Sequence, residues 1–395
     1  MSIVNKNTTA VAVEEEVTEG VYVTPASAAS FVQVLDSGLE MKPAKETLER
    51  NVFAGTIGQV TPRTGTKSIS GSIPTECRAF SSEGHAPEFN SLMKSAFGTR
   101  RQATTTTTTK SSGNTASILQ IEDADISKFN VGDIVMVKMD DAFHVSPITA
   151  KSSGAGTATI TLLVPHPSGD IDDSVVIAKF TTYTVAESGH PTLSITKYLD
   201  SAITDTASGC RVTKFGLSDF STGKIPKLAF GFDGLDFDKT VAAPTYSPSY
   251  DSALPPIVLD GRLYMDGAQV PINELTIAME NTVSFATAFD RENGKISSRV
   301  TKRKITGSIN PYSQTDSVSN FTKFVANTEF SLFAYAKNDT STEGEFENVV
   351  AIYMPKCLIT EYTESDADGL VQESLAFTAS RGAAGTTNEI YFCFI

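Results

Sequence analysis

No tryptophan occurs among the 395 residues, and only four cysteines and four histidines do. Cys77, Cys210, Cys357 and Cys393 lie far apart and form no C-x-x-C. They read as reduced structural thiols rather than a redox or zinc motif. His85, His144, His166 and His190 stand at no H-x-x-x-H spacing and read as solvated loop residues. A Ser-His-Asp site assembles in space, but no G-x-S-x-G elbow, phosphate loop or G-x-G-x-x-G is present. No apolar run approaches the roughly 18 residues of a membrane helix. The opening MSIVNKNTTAVAVEEEV has no apolar stretch behind a basic one, so no secretory leader is expected and synthesis is expected in the cytoplasm. Basic residues are the minority, 32 against 46 acidic, for a formal charge of −14. A grip on nucleic acid needs clustered Lys and Arg, and a polybasic membrane contact needs the same. The charge argues against both, but not against a surface that nucleic acid slides past.

The length implies two to three domains. Thr, Ser and Gly are plentiful, and short segments alternate apolar with polar at strand period, as in FVQVL (31–35), SISGSI (68–73) and LSIT (193–196). Two stretches carry helical periodicity. Residues 87–97 place Phe89, Leu92, Met93, Ala96 and Phe97 on one face; residues 317–326 do so with Val318, Phe321, Phe324 and Val325. The fold class is mainly β with a short helix per region. Residues 1–29 read as a polar arm with a weak strand at 21–23, and the six threonines at 104–109 as a low-complexity linker. Residues 115–187 read as a small β-barrel or sandwich, with Gly132-Asp133 turning into a buried strand. Residues 104–190 hold five Lys, no Arg and ten Asp or Glu, which disfavours an oligonucleotide-binding barrel.

The carboxylates Asp170, Asp172 and Asp173, then Asp233, Asp236 and Asp238, then Asp366 and Asp368, complete no calcium loop and read as solvated turns. Asp140 and Asp141 form a weak candidate acid–base pair. The basic run Lys302, Arg303 and Lys304, with Arg299 nearby, fits ion pairs to an acidic neighbouring subunit better than a nucleic-acid patch. No catalytic, cofactor-binding or metal-binding residues are expected.

The informative feature is an internal repeat. KSISGSIP (67–74) resembles KITGSINP (304–311), and aligning Gly71 with Gly307 sets an offset of 236 (307 − 71). Carried back without gaps, it pairs Leu39 with Leu275, Met41 with Ile277, Phe53 with Phe289, Gly58 with Gly294, Arg63 with Arg299, Ile69 with Ile305 and Ile73 with Ile309. Residues 38–74 share eight identities in 37 with residues 274–310, and the matches include the glycines and the strand-period apolar positions. A second block pairs Val212 with Ile359, Phe215 with Tyr362, Leu228 with Leu375 and Phe230 with Phe377 at an offset of 147 (359 − 212). The offsets differ by 89 (236 − 147), so the first copy holds about that many extra residues, where the threonine tract and the small domain lie. Gly58 and Gly294 fall in mid-loop, where glycine permits positive φ. Gly71 and Gly307 fall inside strands, which suggests a bulge or a close approach of another backbone.

The stretches EEEVTEGV (14–21), PAS (25–27), VQVL (32–35), ETLE (46–49), KSISGSIP (67–74), LSITKY (193–198), GCRVTKF (209–215), GKIPKLAFGFDG (223–234) and LTIAMEN (275–281), with RKITGSI (303–309), together resemble the major tail tube proteins of long, non-contractile-tailed bacteriophages. The resemblance covers most of the chain except 104–187. It implies β-sandwich or barrel tube domains, each with a short helix, similar to the type VI secretion tube protein. In that family six domains form a ring whose inner sheets join edge to edge around a channel, and rings stack through the long first hairpin. The repeat then implies two tandem tube domains, an N-terminal arm at 1–29, a first tube domain at 30–103 and 188–245, an inserted decoration domain at 104–187, and a second tube domain at 246–395. Two tube domains per chain imply trimeric, pseudo-hexameric rings. The repeat-matched residues named above would build the ring or inter-ring hairpins. Partners implied are other copies of the chain, a tape-measure protein and other tail proteins, with viral DNA crossing the lumen unbound, no membrane and no cofactor. A net acidic wall would repel phosphates and let DNA move. Other expectations weighed are a distal tail or decoration protein, a carbohydrate- or host-surface-binding β-protein, and, with no motif in its favour, an enzyme.

Overall fold

The computed structural model describes residues 4–395 except 54, 56, 140–142, 155, 201, 260, 292, 315–317, 338–347 and 383–388. The chain is mainly β. Its first part holds β1 (Ala10–Glu15), β2 (Phe31–Val32), β3 (Glu40–Leu48), β4 (Arg63–Glu76), α1 (Asn90–Phe97) and β5 (Gly98–Ala103). A separate unit follows: β6 (Thr107–Thr108), β7 (Ile118–Ile121), β8 (Ile134–Lys138), β9 (Phe143–Ser152), β10 (Ala158–Leu162) and β11 (Val176–Ile177). Then come β12 (Phe180–Val185), β13 (Leu193–Leu199), β14 (Ile203–Ser221), β15 (Lys227–Gly234) and β16 (Asp236–Thr240). The remainder holds β17 (Arg262–Met265), β18 (Ala268–Gln269), β19 (Ile272–Thr287), β20 (Lys295–Pro311), α2 (Val318–Ala326), β21 (Phe330–Lys337), β22 (Val349–Ala367), β23 (Leu370–Ala379) and β24 (Tyr391–Phe394).

Eight strands make one antiparallel sheet in the order β3-β4-β15-β14-β19-β20-β23-β22. Period-two alternation gives it one buried face. On β15, Leu228, Phe230 and Phe232 are buried while Lys227 and Ala229 are exposed. Two outer layers, β2-β1-β13-β14-β16 and β18-β17-β21-β22-β24, cover the apolar face. The 19-residue strands β14 and β22 each run from an outer layer into the eight-stranded sheet, so they tie the layers together. Each helix lies beside its long strand, and α1 plugs the sandwich. Leu92, Met93, Ala96 and Phe97 of α1 are fully buried, and Phe97 meets Phe215 edge-on at 5.1 Å between centroids.

Strand register repeats between the two parts. Met41 lies opposite Gly71 and Ile277 opposite Gly307; across the sheet, Gly71 faces Phe232 and Gly307 faces Phe377. The expected close approach at both glycines is present. A Cβ on Gly71 would lie 2.2 Å from the Glu40 carbonyl oxygen and 2.5 Å from the Phe232 ring. On Gly307 it would lie 2.5 Å from the Thr276 oxygen and 2.5 Å from the Phe377 ring. Gly71→Ala and Gly307→Ala are each expected to cost roughly 1–3 kcal/mol by overpacking, measured as a lower urea midpoint; an unchanged midpoint would mean that the rings yield freely.

The second sequence block is half corrected. Val212 faces Phe232 and Ile359 faces Phe377, so 147 holds for the long strands. But Phe230 faces Ile73 whereas Leu375 faces Ile309, so the following strand is equivalent at 145 (375 − 230). A two-residue slip keeps every side chain on its face, so the apolar pattern alone could not reveal it.

Other expectations also change. The stretch read as an arm supplies β1, whose Val11, Ala12 and Val13 are buried, while 21–23 form no strand. Within the threonine tract, Thr107 and Thr108 pair with Ile177 and Val176, which gives the tract the apolar partner its own sequence lacks. The helices begin at Asn90 and Val318, later than the periodicity suggested; Ser317 lies outside the described residues. Positive φ in the two long hairpin loops occurs at Gly55 (+70°) and Gly294 (+66°).

The separate unit is a six-stranded sheet, β6-β11-β8-β9-β10-β7, in which β9 turns from β8 to β10. Gly132 (φ +92°) turns into the buried β8, as expected. The unit's core, including Ile121, Phe129 and Val137, is continuous with Tyr264, Phe333, Tyr335, Tyr353 and Cys393 of the later part. Its stems β5 and β12 pair with one another, and β12 also pairs with β24. So a unit that interrupts the first part in sequence packs on the second in space.

Candidate assembly surface

The eight-stranded sheet ends in two open edges. Along β3, Lys42 to Leu48 are exposed; along β22, so are Thr360, Glu361 and Thr363 to Asp366. Among the described residues no strand pairs the outer side of either segment. Unpaired N–H and C=O groups make such edges templates for further pairing. Pro43, which has no N–H to donate, is tolerated because β3 is an edge within the chain.

Inside the sheet, β14 and β19 join the two parts. Lys214 lies opposite Glu280, Phe215 opposite Met279, Gly216 opposite Ala278, Leu217 opposite Ile277 and Phe220 opposite Leu275. The buried Asn281 secures this joint, its Nδ2 donating to the carbonyls of Ala96 (3.0 Å) and Val212 (3.3 Å). The two helices differ in cover. Both end in a left-handed residue, Gly98 and Asn327. Six and two residues before it, α1 has Leu92 and Ala96, fully buried, whereas α2 has Phe321 and Val325, 50% and 63% exposed. Phe321 and Phe324 pack on Tyr362 at the β22 edge, at 5.4 and 6.2 Å between centroids. The Tyr362 hydroxyl donates to Glu373, a buried carboxylate that also accepts from Asn320. An apolar helix face therefore adjoins one open edge.

Both long hairpins carry a phenylalanine with no cover. Phe53 and Phe289, at the repeat offset, are fully exposed at 110% and 105%. At the other end of the same strands lie two small clefts. One, about 50 Å³, is lined by Gln33, Val34, Leu35 and Phe89; the other, about 130 Å³, by Gln269, Val270, Ile272, Phe220 and Leu263. Gln33-Val34 and Gln269-Val270 are again 236 apart (269 − 33).

A family model described as phage tail tube protein matches residues 6–379. This chain belongs to the phage tail tube protein family. No curated protein matches it. The family is structural, so this tail tube protein is a virion component that assembles with its own kind and other tail proteins. No helix of the described residues is long and apolar enough to cross a membrane.

Of the residues singled out by the repeat, Ile69, Ile73, Leu275, Ile277, Ile305 and Ile309 point into the tail tube protein's own core, and Leu39 and Met41 pack against it. They hold the hairpins in the sheet. Arg63 and Arg299 are exposed near the loop ends of β4 and β20, and Gly58 lies in the first loop. Missed by the sequence were the β22 edge and the α2 face, which only pairing and exposure reveal.

The candidate chemical groups are used within the fold. Arg303 donates from Nε to Glu389 (2.7 Å) and from Nη1 to the Ala186 carbonyl (3.0 Å), so its partners are in the same chain rather than in an acidic neighbour. Asp236 pairs with Lys67, Asp366 accepts from the Gly369 amide, and Asp170 accepts from the Ala116 amide. Asp140 and Asp141 lie outside the described residues. His144 and His190 are buried rather than solvated. His144 bonds through Nε2 to the Val164 carbonyl and His190 through Nδ1 to that of Ser95, and burial lowers the His144 pKa to about 4. All four cysteines are free and buried, and burial raises their pKa values, that of Cys393 to about 12.

Proposed function

We propose that three copies of this chain close into a pseudo-hexameric ring, and that rings stack into the tail tube through which viral DNA enters the host. In this reading each chain holds two tube domains, residues 30–103 with 188–245 and residues 246–395, while residues 104–187 decorate the outside. The observation that carries it is the β14–β19 joint. It joins the two parts inside one chain, and the same pair of edges, β22 and β3, is left open at the chain's two ends. A ring closes both edges, which an isolated chain cannot do.

The internal joint also supplies the register of the external one. Adding 147 to the β14 residues and subtracting 236 from the β19 residues puts Glu361 opposite Ala44, Tyr362 opposite Pro43, Thr363 opposite Lys42 and Ala367 opposite Leu39 of the next chain. Lys45 then takes the place of Asn281 and brings a donor to the C-terminal end of α2, while the neighbour covers Phe321 and Val325. One rung is lost at Pro43.

Stacking uses the hairpins. The exposed Phe53 and Phe289 project from one end of the ring, and the repeated clefts open at the other, a head-to-tail contact that extends without closing. The role is structural, with no catalysis and no cofactor. The chain is made in the host cytoplasm and ends in the virion tail, where a tape-measure protein occupies the lumen before DNA does.

Cysteines at Lys42 and Thr363 test the register, since directly opposite residues sit within disulfide reach. Oxidised K42C/T363C rings are expected to run as covalent trimers on a non-reducing gel, while A44C/T363C crosslinks weakly. A ladder extending to six chains would refute the trimer, and crosslinking favoured by the Ala44 variant would refute the register.

A further inference from the structure

The eight-stranded sheet has one face on the core, and its register lays out the other in rows. One row reads Glu40, Ser72, Gly231, Lys214, Glu280, Lys304. The next reads Pro74, Ala229, Gly216, Ala278, Thr306, Thr378 and holds no charge. On the other side of the first row, Lys42, Ser70 and Asp233 stand opposite one another, while Arg211, opposite Asp233, is buried and paired with Glu19. Carboxylates do not outnumber cations in these rows, although the chain as a whole carries −14. Residues 104–190 hold five of the fourteen excess acidic charges, with five Lys against ten Asp or Glu. These rows are small, hydroxyl-rich and charge-balanced.

Glu280 has a particular place in it. Lys214 and Lys304 are both exposed, and each lies directly opposite Glu280, one on either neighbouring strand. Such cross-strand neighbours are about 5 Å apart at Cβ and interact favourably when opposite in charge. Resting on the ring reading above, we infer that Glu280 keeps the channel from gripping DNA by offsetting one of the two positive charges that Lys214 and Lys304 bring to this row. Without it, each chain would present both lysine charges to the lumen at one level, with no carboxylate between them. A ring would then carry a cationic belt able to displace counterions from phosphates.

The test uses assembled tubes of the full chain, sedimented with a short fluorescent DNA duplex across a salt series. Wild-type tubes are expected to retain none at any salt. E280Q tubes are expected to retain about tenfold more at low salt and to lose it as salt rises, the mark of phosphate contacts. E280Q/K304Q should return to the wild-type level, and the surface control D172N should stay there. T306K, which puts an unpaired cation in the uncharged row without touching Glu280, should reproduce the retention should E280Q fail to fold. Equal retention by wild-type and E280Q tubes, or E280Q retention that K304Q does not reverse, overturns the inference. A wild-type chain that forms no tubes would instead overturn the ring reading on which it rests.

Discussion

Removing the six-stranded unit is expected to leave a chain that precipitates, and three substitutions copied from the first part are expected to restore much of its solubility. The excision is geometrically simple. Ala103 and Phe180 lie directly opposite at the end of the β5–β12 pair, so Asn-Gly in place of residues 104–179 can close them as a two-residue hairpin. What the cut exposes is the outer face of β17, β21 and β22, where Tyr264, Phe333, Tyr335 and Tyr353 now pack against the unit. Buried aromatics cover about 150–250 Å² each, so even partial exposure exceeds the few hundred Å² that soluble monomers usually tolerate as one patch. The first part shows what that face looks like without such a unit, covered instead by its own N-terminal segment, where Tyr22 bonds to Thr196 and Ala12 packs with Phe31. By ladder register, Tyr264, Phe333 and Tyr353 correspond to Ala12, Thr196 and Thr206. Y264A/F333T/Y353T in the excised chain therefore replaces three large aromatic rings with the small and hydroxyl side chains of the first part. Soluble yield and gel filtration decide. A soluble excised chain without the substitutions would mean that the contact is not the main burial of that face.

The same face shows where sequence reading runs out. The glycines at 71 and 307 were legible because a strand-interior glycine has few physical reasons to be there, and the offset of 236 that they fix holds in the strand register. The β class and both helices followed from periodicity. The aromatic residues of β17 and β21 were not legible as a docking face, because a buried strand reads the same whatever covers it. The threonines at 107 and 108 looked unpartnered because their partners, Ile177 and Val176, come 70 and 68 residues later (177 − 107, 176 − 108). The β22 edge carried no signal at all. Its Thr, Glu, Ser and Asp residues look like any solvated strand, and their meaning comes from the pairing they lack. The charged run at 302–304 misled for a related reason. Alternation sends Lys302 and Lys304 to the open face and turns Arg303 back to Glu389.

Replacing both loop phenylalanines, F53S/F289S, is expected to leave rings intact and abolish tubes. Neither ring is covered by its own chain, so their loss removes no internal packing, and the melting temperature should hardly move. If the tips seat in the next ring, three chains bring six of them to each junction. At about 1.5–3 kcal/mol for burying each side chain, that is a gross contribution on the order of 10 kcal/mol per junction. Association also carries a large entropic cost, so losing this term removes most of the net driving force for stacking. The K42C/T363C crosslink should still yield covalent trimers in this background, which separates ring closure from ring stacking. Single variants sharpen the reading. F53S and F289S alone each remove half the tips and should raise the concentration needed for tubes rather than prevent them. Tubes of normal length from the double variant, seen by negative-stain microscopy, would show that the tips are not the stacking contact. The exposed apolar face of α2 would then be the surface left to examine, and F321S should discriminate, because in the ring reading it weakens closure and not stacking.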